Sequence, residues 1–277
     1  MRTYIKIFLG PSGPKNLWPD QLSADAKALF AKLGKYAIDE SMLLVRVPLD
    51  SKEYQMILEF EFHYPEFIDG KSRFSLVDSE FTEEERENAE YLILWVGNLT
   101  YEAGYNPVRR CCEERCFVYG YELDKPYRIE EKSLGKKHLG NMTGGGYVVS
   151  LEMKNELEKH NLTNLQFIPA LKEHRDEVVG YYLEAPKLLP KLDYFDETKI
   201  LITCKTTGEH VYTNEIIGQI EISRQIAYQM DDFNATSELI TQSGTRYYII
   251  SQKMYRIMKQ FTIRSFKCEP IKIVDET

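Results

Sequence analysis

The chain is expected to fold as an α+β protein in which an N-terminal mixed domain, residues 1–97, precedes a C-terminal domain, residues 98–277, with a duplicated strand-helix-strand unit. Short runs rich in branched and aromatic residues alternate with segments whose apolar residues recur at helical spacing. One strand-Ser-helix-strand pattern occurs twice in the C-terminal half. Hydrophobic residues make up 43% and charged residues 28%, so there is enough apolar material for a core and bulk disorder is excluded.

The N-terminal elements follow in order. Thr3 to Leu9 reads as a strand and Gly10 to Pro19 as a Gly/Pro loop. Ser23 to Leu33 reads as a helix, with Ser23 as N-cap, Ala26, Leu29, Phe30 and Leu33 on one face, and Gly34 as the stop. Met42 to Val47 reads as a strand. Tyr54 to Phe62 does too, because Met56, Leu58, Phe60 and Phe62 alternate with Gln55, Glu59 and Glu61, although Ile57 breaks the pattern. Thr82 to Glu90 reads as a short acidic helix with Glu85 at the capping-box position, and Tyr91 to Val96 as a strand. The domain boundary is placed after Gly97.

The repeat carries the most information. Tyr147 to Met153 aligns without a gap on Tyr248 to Met254, and the offset of 101 (251 minus 150) persists. Leu157 falls opposite Met258, Leu162 opposite Ile263, Leu165 opposite Phe266, Phe167 opposite Cys268 and Pro169 opposite Pro270. In each copy a branched strand ends at a serine suited to cap a helix. That helix turns Met153 and Leu157, or Met254, Ile257 and Met258, toward a core. A second strand then alternates and ends at a proline. The two units span about residues 105–171 and 195–275. Upstream of each stands Cys-x-x-x-Gly, at Cys116 to Gly120 and Cys204 to Gly208.

Net charge is −8 and the pI about 5.4, which disfavours nucleic acid as a partner and favours a basic protein. No apolar stretch approaches the roughly 20 residues of a membrane span, so no membrane association is expected. Five cysteines, an odd number without a disulfide framework, and an N-terminus without a signal-like apolar core point to a reducing, cytoplasmic setting.

Residues 105 to 275 resemble the immunity proteins of bacterial polymorphic toxin systems, in the paralogous group named for a double CxxCG motif. The resemblance rests on Tyr147 to Pro169, Tyr248 to Pro270 and the two Cys-x-x-x-Gly segments. It implies a cytoplasmic antitoxin that neutralises a cognate toxin by binding it, with no chemistry of its own. Where the group carries a second cysteine in each knuckle, this chain has Tyr119 and Thr207.

A zinc knuckle needs four thiolate or imidazole ligands, so one cysteine per knuckle implies no metal and no other cofactor. Cys111, Cys112 and Cys116 sit among Arg109, Arg110 and Arg115, which could lower a thiol pKa; a cysteine nucleophile there is the enzymatic alternative, but no base and orienter accompany it. A structural or adaptor module is the remaining alternative. Gly144 to Gly146 precedes a strand and reads as a turn, not a phosphate loop. His160 reads as a helix C-terminal cation, and Glu83 to Glu85 as a solvated face. Tyr247, Tyr248, Tyr255 and Phe261 read as core and its fringe, with any exposed tyrosine a candidate interface anchor.

Overall fold

The computed structural model describes residues 1–9, 20–40, 43–64, 75–96, 99–100, 105–109, 119–123, 125–130, 134, 137–142, 145–197, 200–203, 208, 210–212, 219–240, 245–263 and 266–275. The fold is α+β. It divides into a first unit, Met1–Thr82, and a second, Glu83–Asn214 with Gln219–Thr277.

In the first unit β1 (Arg2–Phe8), α1 (Asp20–Lys32), β2 (Ala37–Asp39), β3 (Leu44–Pro48), α2 (Lys52–His63) and β4 (Ser75–Glu80) follow one another. The strands form an antiparallel sheet in the order β2-β3-β1-β4. Alternate sheet residues Ile5, Ile7, Val45 and Val47 are buried with Ala26, Leu29 and Leu33 at α1 and Ile57 of α2. A half-buried sheet and two amphipathic helices thus share one apolar layer.

Two expectations are corrected here. The helix α1 begins at Asp20, so Ser23 lies inside it; an aspartate in the first turn complements the positive end of the helix dipole. Tyr54 to Phe62 is helical, not a strand. Ser51 adopts extended backbone and its Oγ accepts the Tyr54 N–H at 3.1 Å, capping α2. Ile57, the residue that broke the alternation, is fully buried, with Tyr54, Met56 and Phe60 packed at the same core. The governing period is therefore 3.6 and not 2.

The second unit begins with α3 (Glu83–Asn88), β5 (Tyr91–Val96), β6 (Leu99–Thr100), β7 (Tyr105–Arg109), β8 (Tyr119–Leu123) and β9 (Tyr127–Ile129). Next come β10 (Leu139–Met142), β11 (Tyr147–Val149), α4 (Leu151–Lys159), β12 (Gln166–Lys172) and β13 (Val178–Glu184). The chain continues through β14 (Ile200–Thr203), β15 (His210–Tyr212), β16 (Glu221–Ser223), α5 (Arg224–Ala227), β17 (Phe233–Ala235) and β18 (Leu239–Ile240). It ends with β19 (Tyr248–Ser251), α6 (Gln252–Met258), β20 (Phe266–Pro270) and β21 (Lys272–Val274).

The two sequence copies are β11-α4-β12 and β19-α6-β20. Ser150 (φ −68°, ψ 161°) and Ser251 (φ −68°, ψ 158°) cap their helices alike, each Oγ accepting the N–H of Met153 or Met254 at 3.2 Å. The likeness extends beyond the sequence pattern. One sheet contains the run β10-β11-β13-β12 and another is β17-β19-β5-β20, and every pairing in both runs is antiparallel. Registers correspond: Leu139 opposite Val149 matches Phe233 opposite Ile250, and Phe167 opposite Leu183 matches Cys268 opposite Leu94. The counterpart of β13 is thus β5, a strand that precedes the first copy in the chain.

For that reason the boundary lies after Thr82 and not after Gly97. Tyr91 to Val96 inserts between β19 and β20 and contributes Leu92, Leu94 and Val96 to the second unit's core. A further correction concerns Pro169. β20 ends at its proline, but β12 runs on to Lys172; the parallel neighbour β9 begins at Ala170, one residue past the nitrogen that has no hydrogen to donate.

One core serves both copies. The equivalent pairs Val149 and Ile250, Met153 and Met254, and Leu157 and Met258 are all buried in it. Tyr147 and Tyr248, also equivalents, meet edge to face with ring centres 5.3 Å apart. A residue touching its own counterpart is the signature of an isologous two-fold contact, here within a single chain. Gly145 (φ 96°) and Gly146 (φ 87°) turn β10 into β11, and a Cβ on Gly146 would overlap the Tyr182 hydroxyl. Gly145 and Gly146 thus form a turn whose positive φ values favour glycine.

Leu157 and Met258 have no exposed surface (0% each). Truncating either to alanine is expected to lower stability by about 2–5 kcal/mol, read from urea unfolding of the full chain. Midpoints unchanged by either substitution would contradict the shared core.

Candidate functional site

The most exposed of the described tyrosines, phenylalanines and tryptophans of the second unit is positioned by a third strand-Ser-helix start. β16 passes into the single-turn α5 at Ser223, whose Oγ accepts the Ile226 N–H at 3.3 Å. Ile226 and Ala227 are buried and pin the turn from below, whereas the next residue, Tyr228, is 82% exposed. Arg224, at the start of the same turn, gathers carboxylates. Arg224 holds Glu90 at 2.8 Å and Asp275 at 3.1 Å, and Asp231 and Asp232 follow directly in the chain. Tyr91 Oη donates to the Met230 carbonyl at 3.2 Å. Its phenol is held above the usual tyrosine range by burial and then by the charges of Asp232, Glu90 and Asp231. Arg224 offsets part of this charge. The outcome is an exposed tyrosine on a turn whose base carries an arginine held by two carboxylates.

A second concave feature lies in the first unit, between α1 and α2. It encloses about 350 Å³ and is lined by Asp25, Lys32, Met56, Glu59, Phe60, His63 and Tyr64 among others. One polar contact joins the helices across it. Tyr64 Oη donates to Asp25, which raises the phenol's pKa, and His63 Nδ1 lies 2.7 Å from the Glu59 carbonyl of its own helix. Phe60 and Tyr64 pack with ring centres 5.2 Å apart. No nucleophile-base-orienter set arises among these groups.

Of the residues singled out in the sequence, Cys111, Cys112, Cys116, Cys204, Thr207, Gly144 and the 10–19 loop lie outside the described residues. The zinc and cysteine-nucleophile questions turn on them. Among the described residues no group of three or more His, Cys, Asp or Glu could hold a metal ion, and no helix is long and apolar enough to cross a membrane. Cys268 is buried at 1% exposure, and burial pushes its thiol up to about 12. His138 serves a helix start, its Nδ1 3.1 Å from Ser150 Oγ, and His160 is the C-cap residue of α4, 3.4 Å from Glu156. Glu83 is not merely solvated, since it pairs with Lys259. Tyr247 and Tyr255 are buried, and Tyr248 and Phe261 are half-buried at the core. Tyr228, Arg224, Glu90 and Asp275 were not anticipated. The available signal was Ile222-Ser223, which matches the starts at Ser150 and Ser251 but is followed by only one helical turn before Asp231 and Asp232.

A scan against protein-family models finds no match to this chain, and neither does a search of curated proteins.

With its pKa near 12, the Cys268 thiol carries almost no thiolate at pH 8 and is sterically shielded. Iodoacetamide treatment of the native protein followed by peptide mapping is expected to leave Cys268 unmodified until denaturant is added. Labelling of Cys268 in native buffer at the rate of a free peptide thiol would contradict its placement.

Proposed function

We propose that this chain is an immunity protein that binds a cognate bacterial toxin in the cytoplasm and neutralises it by direct contact, without catalysis. The resemblance carried by Tyr147 to Pro169 and Tyr248 to Pro270 supports this reading. The observation that carries it is Tyr228, 82% exposed on the turn whose first residue, Arg224, pairs with Glu90 and Asp275. An exposed aromatic ring can supply affinity once desolvated, and carboxylates favour encounter with a basic partner. The net charge of −8 acts in the same direction at longer range.

Co-expression with the product of the adjacent upstream gene tests the proposal. That product is expected to be toxic alone, harmless with this protein present, and to co-elute with it on gel filtration. Tyr228→Ala should weaken the complex by about 2 kcal/mol or more. Asp275→Lys should mainly slow association, with an effect that shrinks as salt rises. Undiminished toxicity together with no complex would overturn the reading.

A further inference from the structure

The two copies differ in what covers their helices. On the second copy the acidic helix α3 lies against α6: Lys259 pairs with Glu83 and Glu87, and Arg256 Nε is 3.7 Å from Glu87. Gln252 Nε2 donates to the carbonyls of Arg86 and Ala89 at 2.6 and 2.9 Å. Arg86 Nε donates to the Cys268 carbonyl of β20 at 3.0 Å. α3 thus clamps the outer side of a helix and the strand next to it.

Among the described residues no helix lies on the same face of the first copy. The positions of Gln252, Arg256 and Lys259 are taken there by Leu151, Asn155 and Glu158, and that of Cys268 by Phe167. All three α4 residues are exposed, Leu151 at 55%. The segment before β13 cannot supply a covering helix, because residues 173–177 form the hairpin turn from β12. Lys154, in the place of buried Tyr255, lies over the rings of Phe167 and Tyr181 at 5.5 and 5.0 Å and pairs with Glu158 at 2.6 Å. The two cationic positions of α6 are lost, and the one carboxylate gained, Glu158, is partly offset by Lys154. Where α6 offers Arg256 and Lys259 to acidic α3, α4 offers Asn155 and Glu158, with Glu152 one turn earlier.

We propose that this face, Leu151, Asn155 and Glu158 beside the Phe167 strand edge, receives a short basic helix of the toxin in the manner in which α3 seats on α6. The proposal rests on the immunity reading and adds a location and a chemistry to it. By analogy with α3, the incoming helix presents a cation to Glu158, an arginine to the Phe167 carbonyl, and an apolar side chain to Leu151.

The test uses the full chain and the purified toxin. Leu151→Asp and Glu158→Lys, with thermal melts matched to wild type, are expected to weaken binding about tenfold or more, whereas Glu173→Lys on the nearby hairpin should not. Hydrogen exchange of the wild-type complex should show slowed amides across residues 151–159, a readout independent of any variant's folding. If both variants bind like wild type, or α4 exchange is unchanged in the complex, the face is a solvated surface and this proposal fails while the immunity reading stands. If the wild-type chain binds no toxin at all, both fail.

Discussion

The second unit depends on one apolar layer in which two copies of the same surface face each other. Met153 and Leu157 project from α4 into the core that takes Met254 and Met258 from α6, and Tyr147 contacts Tyr248 across the centre. A single copy, with four strands and one helix, has too little of its own material to cover that side of its sheet. Duplication supplies the complement, since a face that matches itself needs only a second version of itself. The opposite side of the first sheet is covered separately, by Tyr127, Ile129 and Leu134 packed on Met142, Val148 and Ala170.

Outside that layer the copies diverge, and the differences fall where binding is proposed. The connection from β17 to β19 is longer than that from β10 to β11 and carries buried Thr236 and Glu238. Glu238 Oε1 accepts the Leu192 N–H at 2.6 Å and Arg246 donates to the Thr236 and Ser237 carbonyls, so this loop fixes the segment that joins the copies. Burial holds the Glu238 carboxyl above its usual range, a cost accepted for ordering the linker. A further turn, α5, lifts Tyr228 to the surface, and α3 shields one helix but not the other. A conserved interior with altered outer features is a way to change partners without rebuilding a core.

How much of this is legible in the sequence depends on whether a feature is local. The Ser150 and Ser251 starts and the Met153, Leu157, Met254 and Met258 faces can be read directly, because capping and helical spacing are encoded within a few residues. The equivalence of β10 and β17 is hidden by the unequal loops that follow them. The equivalence of β13 and β5 is hidden more deeply, since β5 lies upstream of both copies and its role is set only by insertion between β19 and β20. That is why Tyr91 to Val96 looks like the end of the first domain. Tyr54 to Phe62 misleads for another reason: aromatic and acidic residues alternate there by composition, while the decisive signals, Ser51 as cap and Ile57 as the buried position, are single residues. The Tyr228 turn and the carboxylates that Arg224 holds are assembled from residues 90, 224–228 and 275 and have no contiguous signature.

The account stands or falls on whether the two copies share one cooperative core. Native-state hydrogen exchange of the Leu157→Ala chain, read separately in α4 and α6, tests this directly. A shared core predicts that the slowest amides of both helices lose the same opening free energy, although the substitution lies in only one of them. Loss of protection confined to residues 151–159, with 252–258 unchanged, would contradict it.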